Sequence, residues 1–132
     1  MFAKLNILIF NCKEAILTCD DKMLTYIALA NHSIPMPKTF SGCLTFQKNN
    51  NFIEEQIHLI ERKLNYPIVI KECYGSSGNG IYLAKSQKNL KSILDIVLCK
   101  PHLFQEYIHE SAGMDIRVIV IGGKVIGARD VL

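Results

Sequence analysis

The chain has no long apolar run. The first of its short ones, Leu5 to Phe10, is interrupted by Asn6 and falls far short of the roughly 20 residues that span a bilayer. It also lacks the small-residue cleavage pattern of a signal peptide, so a cytoplasmic protein without membrane contact is expected. Paired cysteines are missing too. The five, Cys12, Cys19, Cys43, Cys73 and Cys99, are widely spaced, odd in number and form no Cys-x-x-Cys. That favours free, mostly buried thiols over a disulfide framework or a zinc site. The four histidines are scattered and give no metal-ligand spacing. Excess charge is small: 15 basic against 12 acidic residues leave +3, without a basic stripe, so nucleic acid is not an expected partner. There is no internal repeat, no low-complexity segment and no Gly-Lys-Ser/Thr ending of a P-loop.

What remains is a chain of 132 residues, 49% apolar and 20% charged. That is enough for one packed domain or two small subdomains. It is organised around Pro67–Gly80, Pro-Ile-Val-Ile-Lys-Glu-Cys-Tyr-Gly-Ser-Ser-Gly-Asn-Gly. In a strand, Ile68, Ile70 and Glu72 share one face and Val69, Lys71 and Cys73 the other. Lys71 is then half-committed to an apolar surface, where an unpaired ammonium is costly. Its stem can lie on the sheet while its head reaches water, or the ammonium can meet an anion. Gly75, Gly78 and Gly80 let backbone amides turn toward a ligand, although a glycine-rich hairpin turn is also common.

In chain order, Leu5–Phe10 reads as a short strand. Thr18 to His32 reads as a helix whose Leu24, Ile27 and Ala28 form a buried face, capped by Asp20 or Asp21. Lys22 falls in its first turn, where the helix dipole disfavours a cation. A solvated lysine tolerates that, and a nearby anion would explain it. Pro35 and Pro37 force extended backbone into a strand around Thr39–Phe40. Gln47–Asn51 is a polar link before a second helix with Phe52, Ile53, Ile57, Ile60 and Leu64 at helical spacing. Ile81–Ala84 is the returning hairpin strand. Ser86 caps a third helix with Leu90, Ile93, Leu94, Val97 and Leu98 on one face. His102–Ile108 reads as a strand in which Glu106 shares a face with Phe104 and Ile108, with Lys71 as its expected salt-bridge partner. Asp115–Ile121, Gly122-Gly123 and Lys124–Ala128 form a hairpin. Helices alternating with hairpins predict an α+β fold, not a doubly wound sheet.

Five pieces in register carry a resemblance across nearly the whole chain. They are Asn11–Thr25, His32–Thr39, Pro67–Gly80, Phe104–Ile108 and Gly113–Val118. With them the chain resembles the ATP-grasp carboxylate–amine ligases, specifically the branch that adds glutamate to ribosomal protein. The resemblance implies a partial ATP-grasp fold. Residues 1–64 would be its helical and strand N-terminal part, 65–110 its nucleotide-lid subdomain, and 111–132 the first hairpin of the catalytic subdomain.

It implies ATP as the cofactor and assigns roles. Lys22 and Lys71 would contact the phosphates. Tyr74, Gly75, Ser76, Ser77, Gly78 and Gly80 would form the loop that folds over them. Gln105, Glu106, Tyr107 and Ile108 would form the hinge beside the adenine, and Asp115 would lie near the ribose. The family's reaction phosphorylates a carboxylate with ATP, and an amine attacks the acylphosphate. Its members carry a further N-terminal domain and a downstream acidic strand with Glu-x-Asn that holds magnesium. Neither is in this sequence, and Asp130 alone does not replace them. The chain is therefore expected to be a fragment, inactive alone, with Mg2+ needed only in the full-length setting. The alternative is a non-catalytic module that keeps the fold and forms a homodimer through its C-terminal hairpin. An unrelated α+β domain with a structural loop is a third reading.

Overall fold

A computed structural model describes Leu5, Ile7, residues 11–46 and residues 49–131. The strand expected at Leu5–Phe10 lies outside the described residues, as does Gln47 of the polar link. The elements are α1 (Lys13–Asp20), α2 (Lys22–Ala30), β1 (Thr39–Ser41), α3 (Asn50–Glu61), β2 (Ile68–Glu72), β3 (Ile81–Ala84), α4 (Gln87–Val97), β4 (His102–Glu106), a 3-10 turn at His109–Ser111, β5 (Asp115–Ile121) and β6 (Lys124–Val131). All strand pairs are antiparallel, in a four-stranded sheet of order β1-β4-β2-β3 and a separate β5-β6 ribbon. The fold is α+β, as expected.

The core follows the apolar spacing. Asn49 caps α3 by accepting the Asn51 amide at 3.0 Å, and Ser86 caps α4 by accepting the Asn89 amide at 3.3 Å. Ile53, Ile57 and Ile60 on α3 and Leu90, Leu94 and Val97 on α4 are buried against Ile68, Ile70 and Phe104 of the sheet. Each such side chain contributes about 1.5–3 kcal/mol on removal from water. Glu54 and Lys91 form an ion pair across the two helices. β1 and α3 belong to this same sheet and core, together with β2–β4.

Both helices therefore cover one face of the sheet. The opposite face carries Val69 and Lys71 of β2 and Leu103 and Gln105 of β4, because neighbouring residues on a strand point to opposite sides. That leaves Lys71 on the side away from α3 and α4.

Several expectations need correction. Thr18–His32 is not one helix: α1 ends at Asp20, and Asp21 is extended and caps α2, its Oδ1 accepting the Met23 and Leu24 amides at 2.8 and 3.2 Å. Leu24 and Ile27 are exposed, not buried. α2 is attached by its N-terminus and turns Thr25, Tyr26 and Leu29 inward, while Ala28 of the expected face is exposed as well. Four of the five cysteines are exposed, because they fall on α1 and in loops; only Cys73, at the end of β2, is buried. The hairpin is less regular than expected: Ile119 pairs with Gly127 and Val120 with Val125, so Ile126 bulges out of β6.

Candidate functional site

The face of the sheet away from the core and the inner side of α2 enclose an open cleft of about 340 Å³. Its polar lining includes Lys22 and Thr25 of α2, Lys71 of β2 and Gln105 of β4, and no carboxylate. The sheet register explains how they meet. Lys71 lies opposite Leu103, with Gln105 two residues on along the same face. Lys71 Nζ donates to Gln105 Oε1 at 2.7 Å, and Gln105 Nε2 donates to Thr39 Oγ1 at 2.8 Å. A neutral amide thus holds the ammonium in place without neutralising it. Burial, and next the charge of Lys22, hold the Lys71 ammonium below the usual lysine range. Two cations facing one acid-free cleft are arranged to receive an anion.

Lys22 reaches this cleft from the helix start. Its backbone amide donates to Cys73 O at 2.9 Å, docking α2 on the end of β2. Its ammonium donates to Gly75 O at 2.9 Å and to Cys73 O at 3.5 Å. The segment Tyr74–Gly80 leaves the sheet here. Gly75, Gly78 and Gly80 have φ of 117°, 78° and 71°, and Ser77 also has positive φ at 57°, a conformation that glycine adopts most readily. The glycine loop thus joins β2 to β3 and touches the cleft through the bond of Gly75 O to the Lys22 ammonium.

Glu106 does not pair with Lys71. Its carboxylate accepts the Lys38 amide at 2.6 Å, and its own amide donates to Lys38 O at 2.9 Å. The two residues point to opposite faces of the sheet, since Glu106 lies opposite Ile68 and Lys71 opposite Leu103. Glu106 and Tyr107 line a second cleft of about 300 Å³ with Lys38, Lys63 and His109. The ladder ends at Glu106, and Tyr107 and Ile108 leave the strand.

A family model for the RimK-like ATP-grasp domain matches residues 19–131. The chain belongs to the RimK-like ATP-grasp family. It is 41% identical over 128 residues to N-acetylaspartylglutamate synthase A of Mus musculus, covering 95% of this chain and 32% of that protein. It is 36% identical over 126 residues to β-citrylglutamate synthase B of Danio rerio, covering 95% of this chain and 30% of that protein. A RimK domain ATP-grasp protein of Sphaerobacter thermophilus superposes with a TM-score of 0.63 at 25% identity, over 86% of this chain and 40% of that one. The chain thus spans about a third of the length of the curated relatives it matches.

Of the residues singled out from sequence, this ATP-grasp chain brings Lys22, Lys71 and Gln105 into one cleft and sets Gly75 on Lys22. Tyr74, Ser76, Ser77, Gly78 and Gly80 lie on the loop between β2 and β3 and do not line this cleft. Glu106 and Tyr107 line the second cleft. Asp115 starts the β5-β6 ribbon opposite Val131 and lines neither of these two clefts. Sequence reasoning missed Tyr26, Met36 and Thr39. Tyr26 lies one turn from Lys22 on α2, a signal that helical spacing could have given; Met36 and Thr39 join the site only through the sheet. Among the described residues no helix is long and apolar enough to cross a membrane, and no group of three or more His, Cys, Asp or Glu residues could hold a metal.

Proposed function

We propose that this chain is the ATP-binding part of an ATP-dependent ligase that joins a carboxylate to glutamate through an acylphosphate. The observation that carries the reading is the pair of ammonium groups, Lys22 and Lys71, facing one acid-free cleft beside the glycine loop. Family membership supports it, as do the printed names of the relatives, each a synthase of an acylated glutamate.

In this reading ATP supplies the phosphoryl group. Lys71, steadied by Gln105, and Lys22 neutralise the phosphate oxygens. Amides and hydroxyls of Tyr74–Gly80, with Ser76 and Ser77 among them, fold over the same oxygens. Gln105 serves through its side chain, as the brace for Lys71, while Glu106, Tyr107 and Ile108 offer backbone beside the base. Asp115 is assigned to the ribose end. Residues 65–110 act as the lid and 111–132 open the catalytic sheet. A cytoplasmic setting suits the exposed free thiols. Magnesium belongs to the reading only through the family.

Titration with a non-hydrolysable ATP analogue tests this. A charge-assisted contact is worth about 1.5–3 kcal/mol, so Lys71→Ala is expected to lower affinity by roughly one to two decades with the fold intact. Unchanged affinity in both Lys71→Ala and Lys22→Ala would sink the assignment.

A second reading has its own support. In β5 and β6, Ile116, Ile121, Val125 and Ile126 are all 60% or more exposed. A homodimer joined through this ribbon would cover them. Light scattering over a concentration series separates dimer from monomer.

A further inference from the structure

The glycine loop is held unequally at its two ends. At the return end, the Glu72 amide donates to Gly80 O at 2.7 Å. The Glu72 side chain presses on Gly80 so closely that a Cβ there would lie 2.9 Å from it. That side chain is itself fixed: Glu72 Oε1 accepts Lys100 Nζ at 2.7 Å and Tyr82 OH at 3.1 Å. The return end is thus built into the β2-β3 ladder. The middle is slack: a Cβ at Gly78 would meet nothing within 4 Å, and a single local turn, Asn79 N to Ser76 O at 3.1 Å, closes it. At the outgoing end the Tyr74 hydroxyl donates to the Asp21 carboxylate, and beyond Tyr74 the loop hangs on the Lys22 ammonium, which donates to Gly75 O at 2.9 Å.

That ammonium is the same group that lines the cleft with Lys71. We propose that Lys22 is also a positioning residue, a latch that holds the outgoing end of the loop by its Gly75 carbonyl and gives it up when an anion enters the cleft. The coupling rests on the reading of the cleft as a phosphate site. A neutral carbonyl is a weaker acceptor for an ammonium than a phosphate oxygen, so ligand and loop compete for one donor. Lys22 and Lys71 line the same cleft, which puts both side chains beside one ligand. Loss of the latch frees Gly75–Ser77 to move between Tyr74, still bonded to Asp21, and the fixed Gly80 end. Ligand arrival and loop release then become one event, with Lys22 as the shared part.

Hydrogen exchange on the whole chain tests the latch without any ligand. Lys22→Ala, and Lys22→Met which keeps the stem, are each expected to speed exchange of the Gly75–Asn79 amides by roughly three- to tenfold, the range for one hydrogen bond. Amides of β2 and α4 should keep wild-type rates, and Lys22→Arg should restore much of the protection. Lys71→Ala should leave ligand-free loop exchange unchanged. Saturating inorganic triphosphate should abolish the difference in loop exchange between wild type and Lys22→Met, because in both the Gly75 carbonyl is then free of residue 22. Loop rates in both Lys22 variants equal to wild type would overturn the latch. A difference between wild type and Lys22→Met that persists at saturating triphosphate would overturn the competition. Triphosphate that fails to bind counts against the phosphate site, while the ligand-free rates still decide the latch.

Discussion

Two apolar β-structures in this chain meet opposite fates. In the four-stranded sheet, Ile68 and Ile70 are fully buried under α3 and α4. In the β5-β6 ribbon, Ile116 and Ile121 are 65% and 64% exposed. The residue types are the same and so is the strand alternation. What differs is cover: two amphipathic helices lie on the sheet, and no described helix lies on the ribbon. Strand propensity and the turn at Gly122 and Gly123, with φ of 57° and 74°, suffice to define a hairpin. They do not stabilise it as burial stabilises the sheet, and a lone two-stranded ribbon is marginal in water.

The sharpest test of that contrast is a pair of truncations. Leu94→Ala empties a fully buried site on α4 and is expected to cost about 2–5 kcal/mol. Val118→Ala, half-exposed on β5, should cost well under about 1 kcal/mol. Urea unfolding measures both, and equal losses would break the comparison.

Glycine substitutions probe the same difference by adding an atom. A Cβ at Gly42 would sit 2.1 Å from His102 Nε2, on a ring that is itself buried, so Gly42→Ala is expected to destabilise by about 1–3 kcal/mol. Gly127 on β6 has open space around it, and Gly127→Ala should shift stability by no more than about 0.5 kcal/mol. Thermal unfolding of the two variants side by side decides it.

His102 gives the sheet a pH dependence. Its Nδ1 lies 2.7 Å from Lys100 O, and its Nε2 is buried without a partner among the described residues. Burial holds its pKa below the ordinary 6.5. The unfolded state therefore binds the proton more readily, so stability is full above the unfolded pKa and falls as pH drops through it toward the lower folded value. Denaturation midpoints from pH 8 to pH 5 should show this loss, and His102→Gln should flatten the curve. The smallest effect belongs to the ribbon: Ile119→Thr, on a side chain 53% exposed, should move the urea midpoint hardly at all, and a large loss would mean that something covers β5.

Much of this was legible beforehand where the information is local. The spacing of Ile53, Ile57, Ile60 and Leu64, and of Leu90, Leu94, Val97 and Leu98, marked buried helix faces, and all eight are buried. Strand alternation put Lys71 on the face opposite Ile68 and Ile70, and the Gly-Gly pair fixed the turn of the last hairpin. The same method failed at Leu24 and Ile27. Their spacing is as helical as that of α3, but spacing does not say whether a second layer arrives. It failed at Glu106 as well, where proximity in type suggested Lys71 and the register supplied the Lys38 amide.

For α3, α4 and the strands, the sequence by itself determined which segments become helix or strand, where the two helices are capped, and which face of each is apolar. Those properties depend on residues within a turn or two of one another. Tertiary structure decided the sheet order β1-β4-β2-β3, the bond from Lys22 to Gly75 across 53 residues and that from Gln105 to Thr39 across 66. It also decided which apolar faces are covered. These depend on which strands pair and which helices land on them, a balance of loop closure against burial that local periodicity does not encode.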